Sequence, residues 1–200
     1  MNSPLILSLT LLLGACATPE DARVVSKTEP ASPEQIEASR AVAKSLATQL
    51  GGKLKQELET RGPESAIGVC KVIAPQIAAD LSKQTGWQVG RVGTRARNAA
   101  TGTASGWNAQ ALGVFAERMQ QGEKPDALEF AEIVTAPSGT RTLHYAKAIA
   151  MQPMCLTCHG ATENLSAGIK ARLQADYPLD RATGYSVGEL RGAVVITRPL

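Results

Sequence analysis

Apolar residues recur at helical spacing from Ile36 through Ala43, Leu46, Leu50 and Leu54 to Leu58, which predicts a long amphipathic helix ending near Glu59. Its start is marked by Ser32-Pro33-Glu34-Gln35: an N-cap serine, a proline in the first turn, and a glutamine three residues after the serine. Gly51-Gly52 are poor helix formers inside it, and Arg61-Gly62-Pro63 breaks it. A second stripe follows with Ala66, Ile67, Cys70, Ile73, Ala74, Ile77, Ala78 and Leu81, and Pro75 within it predicts a kink or a split. Trp87 to Thr94 reads as a short strand and the Gly/Thr/Ser/Asn-rich Asn98 to Gly106 as a loop. Trp107 to Gln121 reads as a third helix carrying Leu112, Phe115, Ala116 and Met119.

The later part of the chain changes period. Leu128 to Thr135 and Thr142 to Met151 flank Ala136-Pro137-Ser138-Gly139-Thr140, the signature of an antiparallel hairpin. A short helix is predicted over Ser166 to Ala175, and a β-branched strand over Gly192 to Thr197. Helices come first and antiparallel strands later, without βαβ alternation or an internal repeat. That order predicts an α+β fold with one antiparallel sheet partly covered by helices.

The N-terminus has a different character. Leu5 to Leu13 is an apolar run of nine interrupted by Ser8 and Thr10, well short of the ~20 residues a membrane-spanning helix needs. It matches the apolar centre of a secretory signal, although no Lys or Arg precedes it. Leu13-Gly14-Ala15-Cys16 resembles the bacterial lipoprotein cleavage box, with Cys16 as the lipid-bearing residue. Two or more acyl chains anchor a protein stably where one does not. The other reading is an ordinary signal with an incidental cysteine. The expected organisation is a lipoprotein signal over 1–15, a flexible tether over 16–32 and one domain over 33–200. This places the domain on the periplasmic side of a bacterial membrane, lipid-anchored through Cys16.

With 44% hydrophobic and 20% charged residues in a chain of 200, one compact core is expected and pervasive disorder is not. The 21 basic and 18 acidic side chains leave a net charge of +3 with no dense Lys/Arg block, so nothing calls for a nucleic-acid partner. The scarce residues are two histidines and four cysteines, and three of these six fall in one pentad.

That pentad, Cys155-Leu156-Thr157-Cys158-His159, fits the attachment sequence of a c-type haem. Thiols three positions apart can add across the two vinyl groups of one porphyrin, and the next histidine is then held under the iron as an axial ligand. Chance would give about 0.001 such pentads in a chain of this composition. A thioredoxin-type dithiol wants a βαβ context, and a zinc site would need a fourth ligand from elsewhere. Export agrees with haem, because thioether attachment takes place on the exported side of a bacterial membrane.

The sixth iron ligand could come from Cys70, His144, Met119, Met151 or Met154. Cys70 remains after one cysteine goes to lipid and two to porphyrin, and it lies on an inward helical stripe. As an inert buried thiol it would need no function. His144 lies in a predicted strand, and Met151 and Met154 are close in sequence to the attachment site.

From about Pro33 to Thr197 the chain resembles a bacterial haem-c-binding family with a PAS-like fold, first described structurally in cyanobacteria. The resemblance is carried by Ala66-Ile67-Gly68-Val69-Cys70 with Ala74-Pro75, by Gly90-Arg91 through Arg97-Asn98, and by Trp107 and Tyr145-Ala146-Lys147. It continues through Cys155 to Gly160, Asp180-Arg181-Ala182-Thr183-Gly184-Tyr185 and Gly188 to Ala193. It implies a PAS-like antiparallel sheet flanked by N-terminal helices, holding one covalent haem with His159 and Cys70 as the axial pair. Ala99-Ala100-Thr101-Gly102 and Trp107-Asn108 depart from the prolines and the Trp-Glu pair usual there. Arg91, Arg95, Arg97 and Arg191 are candidate partners for the two haem propionates, whose charge suits bidentate guanidinium.

A thiolate opposite imidazole favours ferric iron and leaves no open coordination position, so an enzyme is not expected. The remaining readings are a redox or ligand sensor, which needs a signalling partner, and a membrane-tethered electron-transfer cytochrome, which needs a redox partner.

Overall fold

The predicted cap at Ser32 forms in full: Gln35 N–H donates to the serine Oγ, and the Gln35 side chain accepts from the Ser32 N–H at 2.8 Å. From it runs α1 (Pro33–Arg61), 29 residues long and unbroken at Gly51-Gly52, where both glycines face open space. The computed structural model describes residues 26–200, so the signal, Cys16 and most of the expected tether lie outside the described residues.

After Gly62 the second stripe is split, as Pro75 predicts, into α2 (Pro63–Gly68), a π-helical turn (Val69–Ile73) and α3 (Ala74–Thr85). Ala74 N–H reaches back five residues to the Val69 carbonyl. Pro75 has no N–H for the next bond, and the wide turn accommodates its ring. The extra residue in the turn also rotates the stripe. Ile73, expected to face inward, is 37% exposed beside Val72 at 62%.

The remaining elements are β2 (Gln88–Gly93), α4 (Ala99–Gly102), α5 (Gly106–Gln120), β3 (Glu129–Thr135) and β4 (Arg141–Ala150), followed by α6 (Leu156–His159), α7 (Ala167–Asp176) and β5 (Leu190–Pro199). One helical turn, α4, stands where a loop was expected, because the Asn98 side chain caps Ala100 N–H at 3.1 Å. A further strand, β1 (Lys27–Pro30), lies in the stretch expected as tether and pairs with β3, Thr28 opposite Val134. Its four residues are all exposed, so it carries no alternation for a sequence reading to detect.

All strands pair antiparallel in the order β1-β3-β4-β5-β2, and the expected α+β class is the observed one. Helices cover both faces. On one, Leu46 and Leu50 of α1 and Ile77 and Leu81 of α3 pack on Tyr145, Val194 and Ile196. On the other, Ala111, Leu112 and Phe115 of α5 pack on Val92, Ala146, Ala148 and Ala193. Strand alternation therefore puts Arg91, one residue before Val92, on the face of α1 and α3.

Candidate functional site

The attachment pentad begins five residues after β4 ends. Met151 N–H donates to the Glu189 carbonyl at 2.9 Å and Gly188 N–H to the Met151 carbonyl at 2.8 Å, which fixes the exit from the strand. Pro153 opens a short 3-10 turn, and α6 is a single turn closed by Gly160 N–H on the Leu156 carbonyl. A spacing of three puts Cys155 and Cys158 on one side of that turn. Cys155 packs against Met151, Ala182 and Tyr185, and Cys158 against Ile67, Leu165, Ile169, Leu173 and Tyr177. Both are free thiols, and burial pushes the Cys158 thiol up from its ordinary value.

His159 is held more tightly. Its Nδ1 lies 2.6 Å from the Ala182 carbonyl, and a carbonyl only accepts, so Nδ1 carries the proton and Nε2 keeps its lone pair. The segment around Ala182 is itself pinned to α6: Tyr185 N–H donates to the His159 carbonyl and Gly184 N–H to that of Gly160. The Tyr185 ring meets the imidazole edge-on at 6.2 Å, and its hydroxyl hydrogen-bonds Thr94 Oγ1 at 2.8 Å. Burial, followed by the charges of Arg97 and Arg191, pushes the His159 ring down to about 3, so it is neutral at physiological pH.

Cys70 sits half-buried on the π-helical turn. It lies within electrostatic range of Cys158, Arg91 and Tyr177. Residues 70, 91 and 158–159 thus converge from a helix, a strand and a turn that the chain order holds far apart. The other candidates for the sixth position lie elsewhere. His144 stacks on Trp107 at 5.0 Å on the α5 side of the sheet, Met119 joins the α5 cluster, Met151 is buried beneath Cys155, and Met154 is exposed.

The four arginines divide. Arg95 lies 3.6 Å above the Tyr185 ring and pairs with Glu189 at the surface. Arg97, expected among the propionate partners, has its guanidinium committed within the protein, to Asp180 and to the carbonyls of Cys158 and Ala182. Arg191 donates to the Arg95 carbonyl. Neither Arg91 nor Arg191 has a carboxylate partner among the described residues, and burial lowers both from the ordinary guanidinium value. Asp180, Ala182 and Tyr185 belong to a sequence block noted above only for resemblance; their contacts with the histidine were not readable from it.

The donor set can be tested against alternatives. Among the described residues no three His, Cys, Asp or Glu side chains gather as ligands of one metal ion, whereas a structural zinc site needs four. Two thiols on one turn, an imidazole with a free Nε2, a thiol facing that region and two arginines without carboxylates fit an iron porphyrin with its propionates.

Fold and site together define a class: an α+β protein with a helix-covered antiparallel sheet that carries a Cys-x-x-Cys-His turn beyond its central hairpin. The family model described as Tll0287-like: Tll0287 matches residues 21–199, and the chain belongs to that family. The crystal structure of the cyanobacterial heme-protein Tll0287 matches with a TM-score of 0.63 and 28% sequence identity, over 84% of this chain and 97% of that one. No curated protein matches the chain.

Proposed function

We propose that this chain is a single-haem c-type protein of the bacterial cell envelope that serves as a redox or ligand sensor, with a separate signalling partner. Cys155 and Cys158 would carry the thioethers, His159 and Cys70 would hold the iron, and Arg91 and Arg191 would receive the propionates. Membership of a family with a cyanobacterial heme-protein among its structures supports the haem. The carrying observation is His159, whose Nδ1 is bound to Ala182 while Nε2 is free beside paired thiols. A ligating histidine is ordinarily fixed in this way by its other nitrogen. Bound there, the haem supplies a one-electron centre whose thiolate ligand favours the ferric state.

The chain's own residues supply the switch. Cys70 rides on a π-helical turn between two α-helices, a kind of turn found frequently at functional sites. Loss of the thiolate contact would free that turn to shift. The rigid histidine side favours the second reading, a membrane-tethered electron-transfer cytochrome, in which both ligands stay fixed. In either case His159 and Cys70 together would leave no iron position for substrate, Cys16 would carry the lipid anchor, and the domain would lie on the periplasmic side.

The test is a pyridine hemochrome assay on denatured protein from a host competent in cytochrome maturation. One covalent haem per chain is expected, abolished in Cys155→Ala/Cys158→Ala; a wild-type chain without it refutes the reading. Spectra through a redox titration separate the two roles. Ligand exchange on reduction supports sensing, and constant coordination supports electron transfer.

A further inference from the structure

Arg97 is 7% exposed, and it and Ser39 are the buried polar or charged side chains of the described residues. A charge is costly to bury unless it is fully engaged. Its Nε donates to Asp180 Oδ2 at 3.0 Å, and one terminal nitrogen donates both to the Cys158 carbonyl and, at 3.2 Å, to that of Ala182. The other Asp180 oxygen accepts the Ala182 N–H at 2.7 Å. The Ala182 carbonyl is the one that also accepts from His159 Nδ1. One guanidinium–carboxylate pair therefore fixes both sides of residue 182 and the backbone of the residue preceding the histidine.

We infer that Arg97 is a positioning residue for His159, sharing the Ala182 carbonyl with the imidazole so that it both orients the ring and limits the pull on its N–H. The inference rests on His159 being an iron ligand. A carbonyl oxygen has two lone pairs, and a cationic donor on one draws density from the other. The ring N–H then gives up less of its proton and the imidazole stays a weaker donor, which holds the reduction potential up. A propionate partner would have its guanidinium free; this one is spent on Asp180 and the backbone around His159.

The experiment uses the full holoprotein and three variants, Arg97→Gln, Arg97→Lys and Asp180→Asn. Each is read by hemochrome yield, reduction potential and ferric electron paramagnetic resonance. Arg97→Gln is expected to shift the reduction equilibrium about tenfold toward ferric, ~59 mV for one electron. Its low-spin resonance is expected to broaden as the ring plane loses its fixed direction. Arg97→Lys keeps a cationic donor but cannot hold Asp180 and both carbonyls at once, so its resonance is expected to broaden as in Arg97→Gln while its potential falls less. If Arg97→Lys matches wild type in potential and line shape, charge alone was at work and the inference is overturned. Should the Arg97 variants not accumulate, Asp180→Asn decides: broadened resonance supports the inference, and wild-type potential and line shape overturn it. A wild-type chain without covalent haem removes the ligation reading as well, whereas haem-loaded variants indistinguishable from wild type remove this inference alone.

Discussion

Cys70 and His159 reach one region under different constraints: the imidazole is tied by its own hydrogen bond, whereas the thiol depends on the backbone of a π-helical turn. Cys70→Ser keeps the shape but replaces the sulfur proposed as an iron ligand with a hydroxyl, which stays protonated at neutral pH. The ferric spectrum is expected to change from six-coordinate low-spin to high-spin or to a histidine/water pair; an unchanged spectrum takes Cys70 off the iron. Gly192 is constrained by space. Its φ is 153°, and a β-carbon there would run into the Val92 carbonyl of the paired strand. Gly192→Ala is expected to cost about 1–3 kcal/mol in urea unfolding, and a wild-type midpoint would show that the strands can part without penalty. That Cys155 and Cys158 share one turn beside His159 was legible because the three are local in sequence. The role of Arg97 was not, because Asp180 lies 83 positions away and only the fold brings the two together.

Elements that carry their own signals were read correctly. α1 and α5 announce themselves by period, α1 also by its serine cap, α7 was read as a short helix near its observed bounds, and the β3–β4 hairpin is marked by the turn at Pro137–Gly139. The hidden ones lack such signals. β1 is exposed throughout and is held by its pairing with β3, α4 is one turn made by a side-chain cap, and the π-helical turn displaces Ile73 from a stripe drawn at 3.6 residues per turn. The α1 cap offers a direct measure of a local signal. Ser32→Ala removes the acceptor for Gln35 N–H and is expected to cost about 1 kcal/mol, seen as a lowered thermal midpoint. No change would mean that the helix start is fixed entirely by packing of Leu46 and Leu50 on the sheet.

The layers are joined at a carboxylate. Arg40 of α1 donates from Nε at 3.1 Å and from a terminal nitrogen at 2.6 Å to the two oxygens of Glu129 on β3, and the Tyr145 hydroxyl of β4 donates to the same group at 2.8 Å. The Arg40 guanidinium holds the Glu129 carboxyl below its ordinary value, and the Tyr145 hydroxyl adds to this against some burial. A carboxyl lowered on folding stabilises above its unfolded value of ~4.3 and loses that contribution as pH falls through the folded value. Glu129→Gln is therefore expected to be less stable than wild type at pH 7 and to lose less stability on acidification. Urea midpoints taken at steps from pH 7 to pH 3 should converge for the two proteins. Parallel midpoints would mean that the ion pair does not tie α1 to the sheet. The slope left in the variant belongs in part to Asp176, Glu123 and Glu34, each lowered by its own hydrogen-bond donors at the surface. Convergence rather than a flat profile is thus the expected signature of Glu129.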